Sequence, residues 1–220
     1  MSWESTVTYY SLLNRLARER LGGLHSASVL LYSFDFADIE ALQARGEWQQ
    51  ATRLMVDAAR KLETAGADCL LICTNTMHLM ADDVANAVDI PLLHIADVTA
   101  RAILDSGVES PLLLATRYTM EETFYRARLA SHGVATLIPA DEDRTRVHDI
   151  IYNELCQGHT RPESKAEYLR IIDRAQADGV DGVIFGCTEV GLLISAEDLS
   201  MPGFDTTSLH AEAAIDFALA

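Results

Sequence analysis

The chain has 220 residues, of which 49% are hydrophobic and 23% are charged, and its formal net charge is −16. This composition is typical of a globular protein with one sizeable core or two small ones, and it argues against a disordered chain. The excess of acidic residues disfavours nucleic-acid binding, which needs clustered Lys and Arg, and no apolar run approaches the roughly 20 residues of a membrane span.

Cysteine usage and the first residues indicate the cellular compartment. The chain contains 4 cysteines and no CxxC pair, a pattern that fits a reduced protein without disulfides or a zinc ribbon. The opening stretch "MSWESTVTYY" has neither the basic nor the apolar part of a secretory signal. We therefore expect a cytoplasmic protein.

Short runs rich in Val, Ile and Leu are predicted as strands. Each is apolar almost throughout instead of alternating, which is typical of strands covered on both faces. In chain order they are Ala27–Phe34, Cys69–Cys73, Pro91–Ile95, Pro111–Thr116, Val134–Pro139 and Gly182–Cys187.

Helix-length amphipathic segments lie between these runs. Trp48–Ala65 precedes Gly66, and Thr119–His132 precedes Gly133, so each segment is followed by a residue suited to end a helix. Alternating strands and helices of these lengths predict an α/β protein with a doubly wound, parallel sheet.

The sequence also repeats itself weakly. When "AGADCLLICTNT" (65–76) is placed over "DGVDGVIFGCTE" (178–189), the apolar strands coincide and Thr74 falls on Cys187. A second echo follows each strand, in "HIAD" and "PGFD". This predicts two pseudo-symmetric Rossmann-like domains, 1–98 plus 207–220 and 99–206, with the active site in the cleft between them. A chance likeness of two βα units is the alternative.

The two matching strand tips carry groups that can move protons or bind anions. A residue at the carboxyl end of a strand, directly before a helix, lies beside free backbone N–H groups and a positive dipole end. We expect this environment to lower the pKa of the Cys187 thiol and make it partly thiolate near neutrality. The amides of 74–76 and 187–189 are expected to hold a substrate carboxylate.

Several stretches along the whole chain resemble the aspartate/glutamate racemase family, and in particular its broad-specificity amino-acid racemase branch. The resemblance implies a cofactor-free, two-base racemase that binds an amino acid between two Rossmann-like domains and forms a homodimer. The stretches are "MSWEST" (1–6), "LGGLHSASVLL" (21–31), "RGEW" (45–48), "CTNTMH" (73–78), "LHIAD" (93–97), "TRYTME" (116–121) and "FGCTE" (185–189).

One catalytic position departs from the family pattern, which has a cysteine where this chain has Thr74. Cys73 is one residue away and is expected to point to the other side of the strand, as a packing residue. Because a hydroxyl is a far weaker acid than a thiol of pKa ~8.5, we expect Thr74 to donate a proton and Cys187 to act as the base. The resemblance assigns the L-enantiomer to Cys187, so racemisation is predicted to be faster from L to D.

The remaining candidate residues are interpreted as substrate-binding or supporting. His78 lies one helical turn after Thr74 and supports the motif or simply packs there. Asn75 and Thr76 contact the substrate carboxylate, cap the helix, or do both. Thr188 and Glu189 are expected to line the site without carrying protons.

Other binding candidates follow from the resemblance and from strand-tip positions, with a structural role as the alternative for each. Arg117 is a candidate for recognising a side-chain carboxylate. Glu154 occupies a stretch where relatives that act on acidic substrates tend to place a lysine. The family name suits aspartate and glutamate as substrates, whereas the missing lysine favours neutral or larger side chains, such as homoserine or methionine, and both alternatives stay open. The set is Met1, Gln43, Thr116, Arg117 and Glu154.

The resemblance also raises a question about the first strand. The family normally has a short apolar strand and a Gly-Gly turn before the segment that matches "MSWEST", whereas the printed sequence begins there. Either the start is displaced or the first sheet is one strand short. Since buried apolar side chains contribute about 1.5–3 kcal/mol each, the chain as printed is expected to be less stable than one extended by that strand.

Three other interpretations of these residues are open. A zinc site formed by Cys73, His78, Cys187 and His210 lacks the usual ligand spacing. A one-thiol isomerase or decarboxylase of small diacids keeps the fold and changes the reaction. A non-catalytic amino-acid sensor keeps only the pocket.

Overall fold

The computed structural model describes residues 2–220 and consists of two compact units. Unit 1 comprises Met1–His94 with His210–Ala220, and unit 2 comprises Ile95–Leu209. Each unit contains parallel strands and helices. The predicted α/β class with parallel sheets is confirmed.

Of the two predicted amphipathic segments, Trp48–Ala65 matches one helix and Thr119–His132 covers parts of two. Within residues 2–220 the α-helices are α1 (Trp3–Leu21), α2 (Phe36–Ala44), α3 (Trp48–Thr64), α4 (Ala81–Ala85), α5 (Ile95–Ser106), α6 (Arg117–Glu121), α7 (Thr123–Ser131), α8 (Asp141–Asn153), α9 (Pro162–Ala177), α10 (Val190–Leu193) and α11 (Thr206–Ala218). Short 3-10 helices cover Thr76–Met80, Leu155–Gln157 and Ala196–Asp198.

The strands are short and all run parallel to their neighbours. They are β1 (Leu70–Leu71), β2 (Leu92–Leu93), β3 (Pro111–Leu114), β4 (Gly182–Phe185) and β5 (Gly203–Asp205). In unit 1, β1 pairs with β2; in unit 2 the order is β3-β4-β5, with Leu114 opposite Phe185.

Helix ends follow the capping chemistry that the sequence contains. The Ser2 side chain accepts a hydrogen bond from the Ser5 N–H (3.1 Å) and so caps α1. Gly66, after α3, has a φ of 93°, which an L side chain rarely adopts. The predicted helix over Thr119–His132 is instead two helices, because Glu122 has an extended ψ of 150° between α6 and α7.

Two strand predictions were wrong. Ala27–Phe34 is not a strand, because no described neighbour pairs with it. Val134–Pro139 forms only an isolated bridge between Leu137 and Leu112, because Val134 instead bonds back to the end of α7, at the Leu129 carbonyl (3.1 Å).

Each unit has its own core. In unit 2 the side chains of β3 and β4 are fully enclosed, as expected for strands covered on both faces. In unit 1 the main cluster centres on Ile39, Leu70 and Met77, and a smaller one joins Tyr9, Leu12 and Ala211. Within residues 2–220 no helix combines the length and the apolar character needed to cross a membrane.

Candidate active site

Cys187 lies directly after β4 in unit 2, in a tightly packed turn. The preceding Gly186 leaves no room for a side chain: a Cβ there would lie 2.5 Å from Leu113 Cδ1 and 3.0 Å from the Ala115 Cβ. Cys187 itself is only 9% exposed. The glycine of the "FGCTE" stretch therefore allows the backbone just before Cys187 to pack closely against the segment of β3 and Ala115.

The Cys187 thiol forms a hydrogen-bonded network with the two residues that follow it. Its Sγ donates to Glu189 Oε2 at 2.9 Å, and the Thr188 hydroxyl donates to the same oxygen at 2.6 Å. All three side chains are buried. A buried carboxylate that accepts two short hydrogen bonds is the nearest proton acceptor to this thiol.

The pKa of Cys187 is raised well above its usual range, first by burial and then by the nearby negative charge of Glu189. The predicted lowering of this pKa was therefore wrong. The helix that follows, α10, has only four residues, so its dipole does not outweigh these two effects. At neutral pH the sulfur carries its proton and shares it with the carboxylate.

Further acidic groups surround this tip. The thiol of Cys156 also raises the pKa of Cys187, and the pKa of buried Tyr168 is raised mainly by burial and then by Cys187, Cys156, Glu154 and Glu189. Glu154 accepts a hydrogen bond from the Ser164 hydroxyl (2.5 Å), and the nearest cation, Arg161, is 3.9 Å away and exposed. Among residues 2–220, the only ion pair of Glu154 is thus with this exposed arginine.

Thr74 lies at the corresponding tip of unit 1, three residues after β1. It is half-buried, and its backbone carbonyl accepts a hydrogen bond from His78 Nδ1 at 2.8 Å. The segment after it, Thr76–Met80, is a 3-10 helix and not the expected α-helix. His78 thus contacts the Thr74 backbone, as its spacing of four residues predicts, and the bond places the proton on Nδ1.

Cys73 packs against the Tyr9–Leu12–Ala211 cluster of unit 1. Burial raises the pKa of its thiol to about 11. The interpretation of Cys73 as a packing residue agrees with this environment, since a neutral thiol behaves as a small apolar side chain.

The other predicted residues of unit 1 are buried close to Thr74. Gln43, from α2, donates its amide to Met77 Sδ at 3.1 Å, within the 3-10 helix that follows Thr74. Asn75 and Thr76 are both buried at the start of that helix. Met1 lies outside the described residues.

Thr116 and Arg117 follow β3, and the pairing of β3 with β4 brings them to the same sheet edge as Cys187. Thr116 caps α6 by accepting from the Thr119 N–H (3.4 Å). The Arg117 guanidinium donates a hydrogen bond to the Thr145 hydroxyl at 3.5 Å. The backbone N–H of Arg117 donates to His148 Nδ1 at 3.3 Å.

Two further histidines lie near His78: His94, which was assigned no role from sequence, and His210, which entered only the alternative zinc interpretation. His94 stacks edge-on against His78, with ring centroids 4.6 Å apart. His210 bonds through Nε2 to the Leu93 carbonyl and through Nδ1 to the Tyr9 hydroxyl, each at 2.8 Å. The only sequence signal was their position, since His94 directly follows β2 and His210 falls in the first turn and a half of α11.

These bonds settle the protonation state of His210. A carbonyl only accepts, so Nε2 carries the hydrogen and Nδ1 accepts from Tyr9. Burial lowers the pKa of His210 to about 4. Both ring nitrogens are engaged, and this histidine is not available as the zinc ligand that the alternative interpretation required.

Comparison with known proteins identifies the family. The model of the Asp/Glu/Hydantoin racemase family matches residues 1–214. The chain belongs to this family. Its enzyme class is that of an isomerase, and the family supports amino-acid racemase activity.

Relatives of this racemase-family chain include proteins from bacteria and archaea. The broad specificity amino-acid racemase RacX of Bacillus subtilis (strain 168) is 23% identical over 168 residues, which cover 76% of this chain and 72% of RacX. A Yersinia pestis protein provisionally described as an Asp/Glu racemase has a crystal structure with a TM-score of 0.92 and 52% identity, over 100% of this chain and 96% of that one.

A third relative is an aspartate racemase homologue from Pyrococcus horikoshii OT3. Its crystal structure is 34% identical, with a TM-score of 0.85, over 99% of this chain and 95% of that one. The family assignment therefore extends over nearly the whole chain.

Proposed function

We propose that the protein is a cofactor-independent amino-acid racemase that moves protons at Cα, with Cys187 as the proton acceptor and Thr74 as the proton donor. The observation that carries the proposal is the buried Cys187–Glu189 pair at the tip of β4, with 2.9 Å between Sγ and Oε2. It combines a nucleophilic, basic group with a neighbour that can accept its proton.

The raised pKa of Cys187 means that the base must be formed during the reaction. In the first step the S–H bond breaks and the proton moves to Glu189 Oε2, so a thiol–carboxylate pair becomes a thiolate–carboxylic acid pair of the same total charge. The thiolate then takes the Cα proton, and the electron pair remains on the substrate as a carbanion. Glu189 is therefore more than the site-lining residue that the sequence suggested.

Thr74 suits the donor role because a hydroxyl holds its proton too tightly to act as a base near neutrality. Donating a proton to a carbanion that has already formed is much less demanding than removing one from Cα. Solvent water returns a proton to Thr74 and removes one from Glu189, which balances the cycle. His78 contributes by holding the Thr74 carbonyl through its Nδ1–H.

This division of labour makes the enzyme kinetically asymmetric. Rapid proton removal is open only to the enantiomer whose α-hydrogen faces Cys187, which the family resemblance assigns as L. The asymmetry concerns rates alone, because a catalyst does not change the final ratio of L to D.

Substrate binding is proposed for the groups around the two tips. Asn75, Thr76 and Thr188 would offer amide and hydroxyl hydrogen bonds to the α-carboxylate. We propose that Gln43, Thr116 and Glu154 line the same substrate site. Arg117 is proposed to contact a polar side chain of the substrate. The relative RacX is described as a broad specificity amino-acid racemase. The acidic groups around Cys187 favour substrates with neutral side chains over aspartate and glutamate.

The decisive experiment is uptake of solvent deuterium at Cα by a panel of L- and D-amino acids, with chiral analysis of the products. The proposal expects Cα deuteration with no added cofactor and formation of the opposite enantiomer. Carbon dioxide release would instead indicate the decarboxylase, and binding without exchange would indicate the sensor. The homodimer and the cytoplasmic location stay predictions, to be measured by sedimentation and by cell fractionation.

A further inference from the structure

The turn after β3 lies beside the Cys187 turn in the sheet of unit 2. Leu114 is opposite Phe185 in the parallel pair of β3 and β4. Neighbouring strands lie about 4.8 Å apart, so the residues two places further on, Thr116 and Cys187, leave the sheet side by side. Arg117, the first residue of α6, therefore begins at the sheet edge that carries the thiol.

Two of the first three backbone N–H groups of α6 are already engaged within unit 2. The Arg117 N–H donates to His148 Nδ1 at 3.3 Å, and the Thr119 N–H donates to the Thr116 hydroxyl at 3.4 Å. Because these donors are used, recognition of a ligand at this strand tip depends mainly on the side chain of Arg117, a planar cation with several N–H donors.

Helix α8 contacts Arg117 at two points. His148 accepts a hydrogen bond from the Arg117 backbone, and the Thr145 hydroxyl accepts one from the guanidinium at 3.5 Å. Thr145 and His148 are three residues apart, so they lie on the same face of α8. Both bonds are longer than the usual 2.7–3.2 Å, and the position of Arg117 therefore depends on the two contacts together.

Two tyrosines enclose the His148 ring. The Tyr118 ring lies edge-on to it with the centroids 5.9 Å apart, and the Tyr152 ring is tilted with the centroids 4.6 Å apart. All three side chains are half-buried. This packing holds the imidazole in the orientation in which Nδ1 faces the Arg117 N–H.

The bond from Arg117 requires a neutral His148. Nδ1 accepts a hydrogen bond, so the hydrogen of the neutral ring is on Nε2. The pKa of His148 is lowered from 6.5, first by burial and then by the positive charge of Arg117, while the carboxylates of Asp149 and Glu121 act in the opposite direction. The ring is therefore neutral at pH 7.

Other charged groups that α6, α8 and α9 bring to this region have partners of their own. They are Glu121 with Arg144 (3.0 Å), Asp143 with Arg170 and Arg174 (2.7 and 2.9 Å), and Glu154 with Ser164 (2.5 Å). Burial and the guanidinium of Arg117 thus govern the protonation of His148.

We propose that His148 is a positioning residue for Arg117, and that the guanidinium so positioned binds an oxygen acceptor, such as a hydroxyl, on the substrate side chain. The inference rests on the proposed racemase function, which assigns the substrate side chain to Arg117. A protonated His148 carries a hydrogen on Nδ1, cannot accept from the Arg117 N–H, and repels the guanidinium. Acid therefore releases Arg117 and removes its contribution to substrate selection.

The test compares homoserine with norvaline, which has nearly the same size and a methyl group in place of the hydroxyl. The ratio of the two kcat/KM values isolates side-chain recognition, because effects of pH on the proton-transfer groups act on both substrates and cancel. In the unmodified protein homoserine should be preferred about tenfold at pH 7, the usual value of one hydrogen bond to a charged group. The preference should disappear as the pH falls below 6.5.

Two substitutions separate positioning from packing. His148→Asn keeps an acceptor oxygen in the place of Nδ1 and does not titrate, so the preference for homoserine should remain and become independent of pH. His148→Leu fills the site without an acceptor, so the preference should be lost at every pH while kcat for norvaline is unchanged. Arg117→Met should lose the preference in the same way. A preference that still falls with pH in His148→Asn, or that survives in His148→Leu, refutes the proposal.

A measurement without substrate separates this inference from the proposed function. The backbone ¹H–¹⁵N resonance of Arg117 should shift with acid in the unmodified protein and in His25→Asn, an exposed control, but not in His148→Asn. A resonance that is indifferent to acid in the unmodified protein refutes the positioning role, whatever the activity. Absence of Cα exchange with both amino acids refutes instead the racemase function, and with it the role of Arg117 towards the substrate.

Discussion

The Cys187 thiol and the Glu189 carboxylate share one proton at 2.9 Å inside unit 2, and the Thr188 hydroxyl donates to the same carboxylate oxygen at 2.6 Å. The carboxylate raises the pKa of the thiol, yet it is also the group that can remove the thiol proton. The same side chain thus opposes ionisation of the thiol at rest and, in the mechanism we propose, accepts its proton during turnover.

Replacing Glu189 by Gln should separate these two effects. The neutral amide cannot take the thiol proton, so racemisation should fall by about 10²–10⁴-fold, the usual contribution of a positioned acid–base group. Loss of the negative charge should at the same time lower the pKa of Cys187, so alkylation by iodoacetamide at pH 8 should become faster. Chiral chromatography and mass spectrometry measure the two rates.

Glu197→Gln, at an exposed position, is the matched control and should change neither rate. If Glu189→Gln racemises at the rate of the unmodified protein, Glu189 is not the acceptor of the thiol proton.

Replacing Thr74 by Cys should make the enzyme more symmetric. A second thiol can act as a base for the enantiomer that Thr74 handles slowly, so the initial rate from that enantiomer should rise about tenfold or more. Thr74→Val should lower both rates. Deuterium uptake from pure L- and pure D-amino acid is the measurement.

Cys73→Ala provides the control for this position. A packing residue can be shortened without altering the ratio of the two initial rates. Equal turnover from both enantiomers in the unmodified protein would contradict the role assigned to Thr74. A changed ratio of the two initial rates in Cys73→Ala would contradict the packing role assigned to Cys73.

The buried His210 should make the protein sensitive to mild acid. Its pKa is lowered from 6.5 to about 4, so the unfolded chain binds this proton at a higher pH than the folded one. The stability is fully present above pH 6.5 and is lost as pH falls towards 4, with a loss of about 3 kcal/mol in the free energy of unfolding. Urea unfolding at several pH values measures this slope.

In His210→Gln the pH dependence that His210 contributes to the free energy of unfolding should disappear. The variant should also be less stable at pH 7. His25→Gln removes an exposed histidine and should keep the slope. If the free energy of unfolding of His210→Gln falls with decreasing pH as steeply as that of the unmodified protein, other groups cause the acid sensitivity.

Gly186→Ala should destabilise unit 2 and disturb Cys187. The added Cβ would lie 2.5 Å from Leu113 Cδ1 and 3.3 Å from the Leu114 carbonyl oxygen. Overpacking of this kind costs about 1–3 kcal/mol, and the racemisation rate should fall because the turn carries the thiol. Thermal unfolding and the rate assay test both expectations.

Gly191→Ala is the matched control, since its Cβ would meet nothing closer than Asp205 Oδ2 at 3.5 Å. It should leave stability unchanged or slightly raised. A similar loss in both variants would point to a general effect of Gly→Ala changes in this segment.

Local pattern was sufficient for the α/β class and for four of the six predicted strands. The apolar runs before Thr116 and Cys187 are strands β3 and β4, because hydrophobicity on both faces is a property of the run itself. Trp48–Ala65 likewise matches α3 to within one residue. The run over Ala27–Phe34 has the same composition and is not a strand, because strand formation also needs a partner edge.

For the candidate site, too, some features could be predicted from local sequence and others depend on tertiary contacts. The apolar strand pattern and the internal repeat placed Thr74 and Cys187 at strand tips, because these signals are carried by contiguous residues. They could not reveal that His210 is locked between Tyr9 and Leu93, which are 201 and 117 residues away in the chain. Only folding brings such partners together.

The amino-acid sequence by itself determined that this protein is a parallel α/β racemase-family chain with a hydroxyl after one strand and a thiol after another. The tertiary structure alone decided the protonation state of that thiol. A pKa depends on burial and on the charges within a few ångströms, and these are properties of packed neighbours such as Glu189 and Cys156 and not of the motif that contains Cys187.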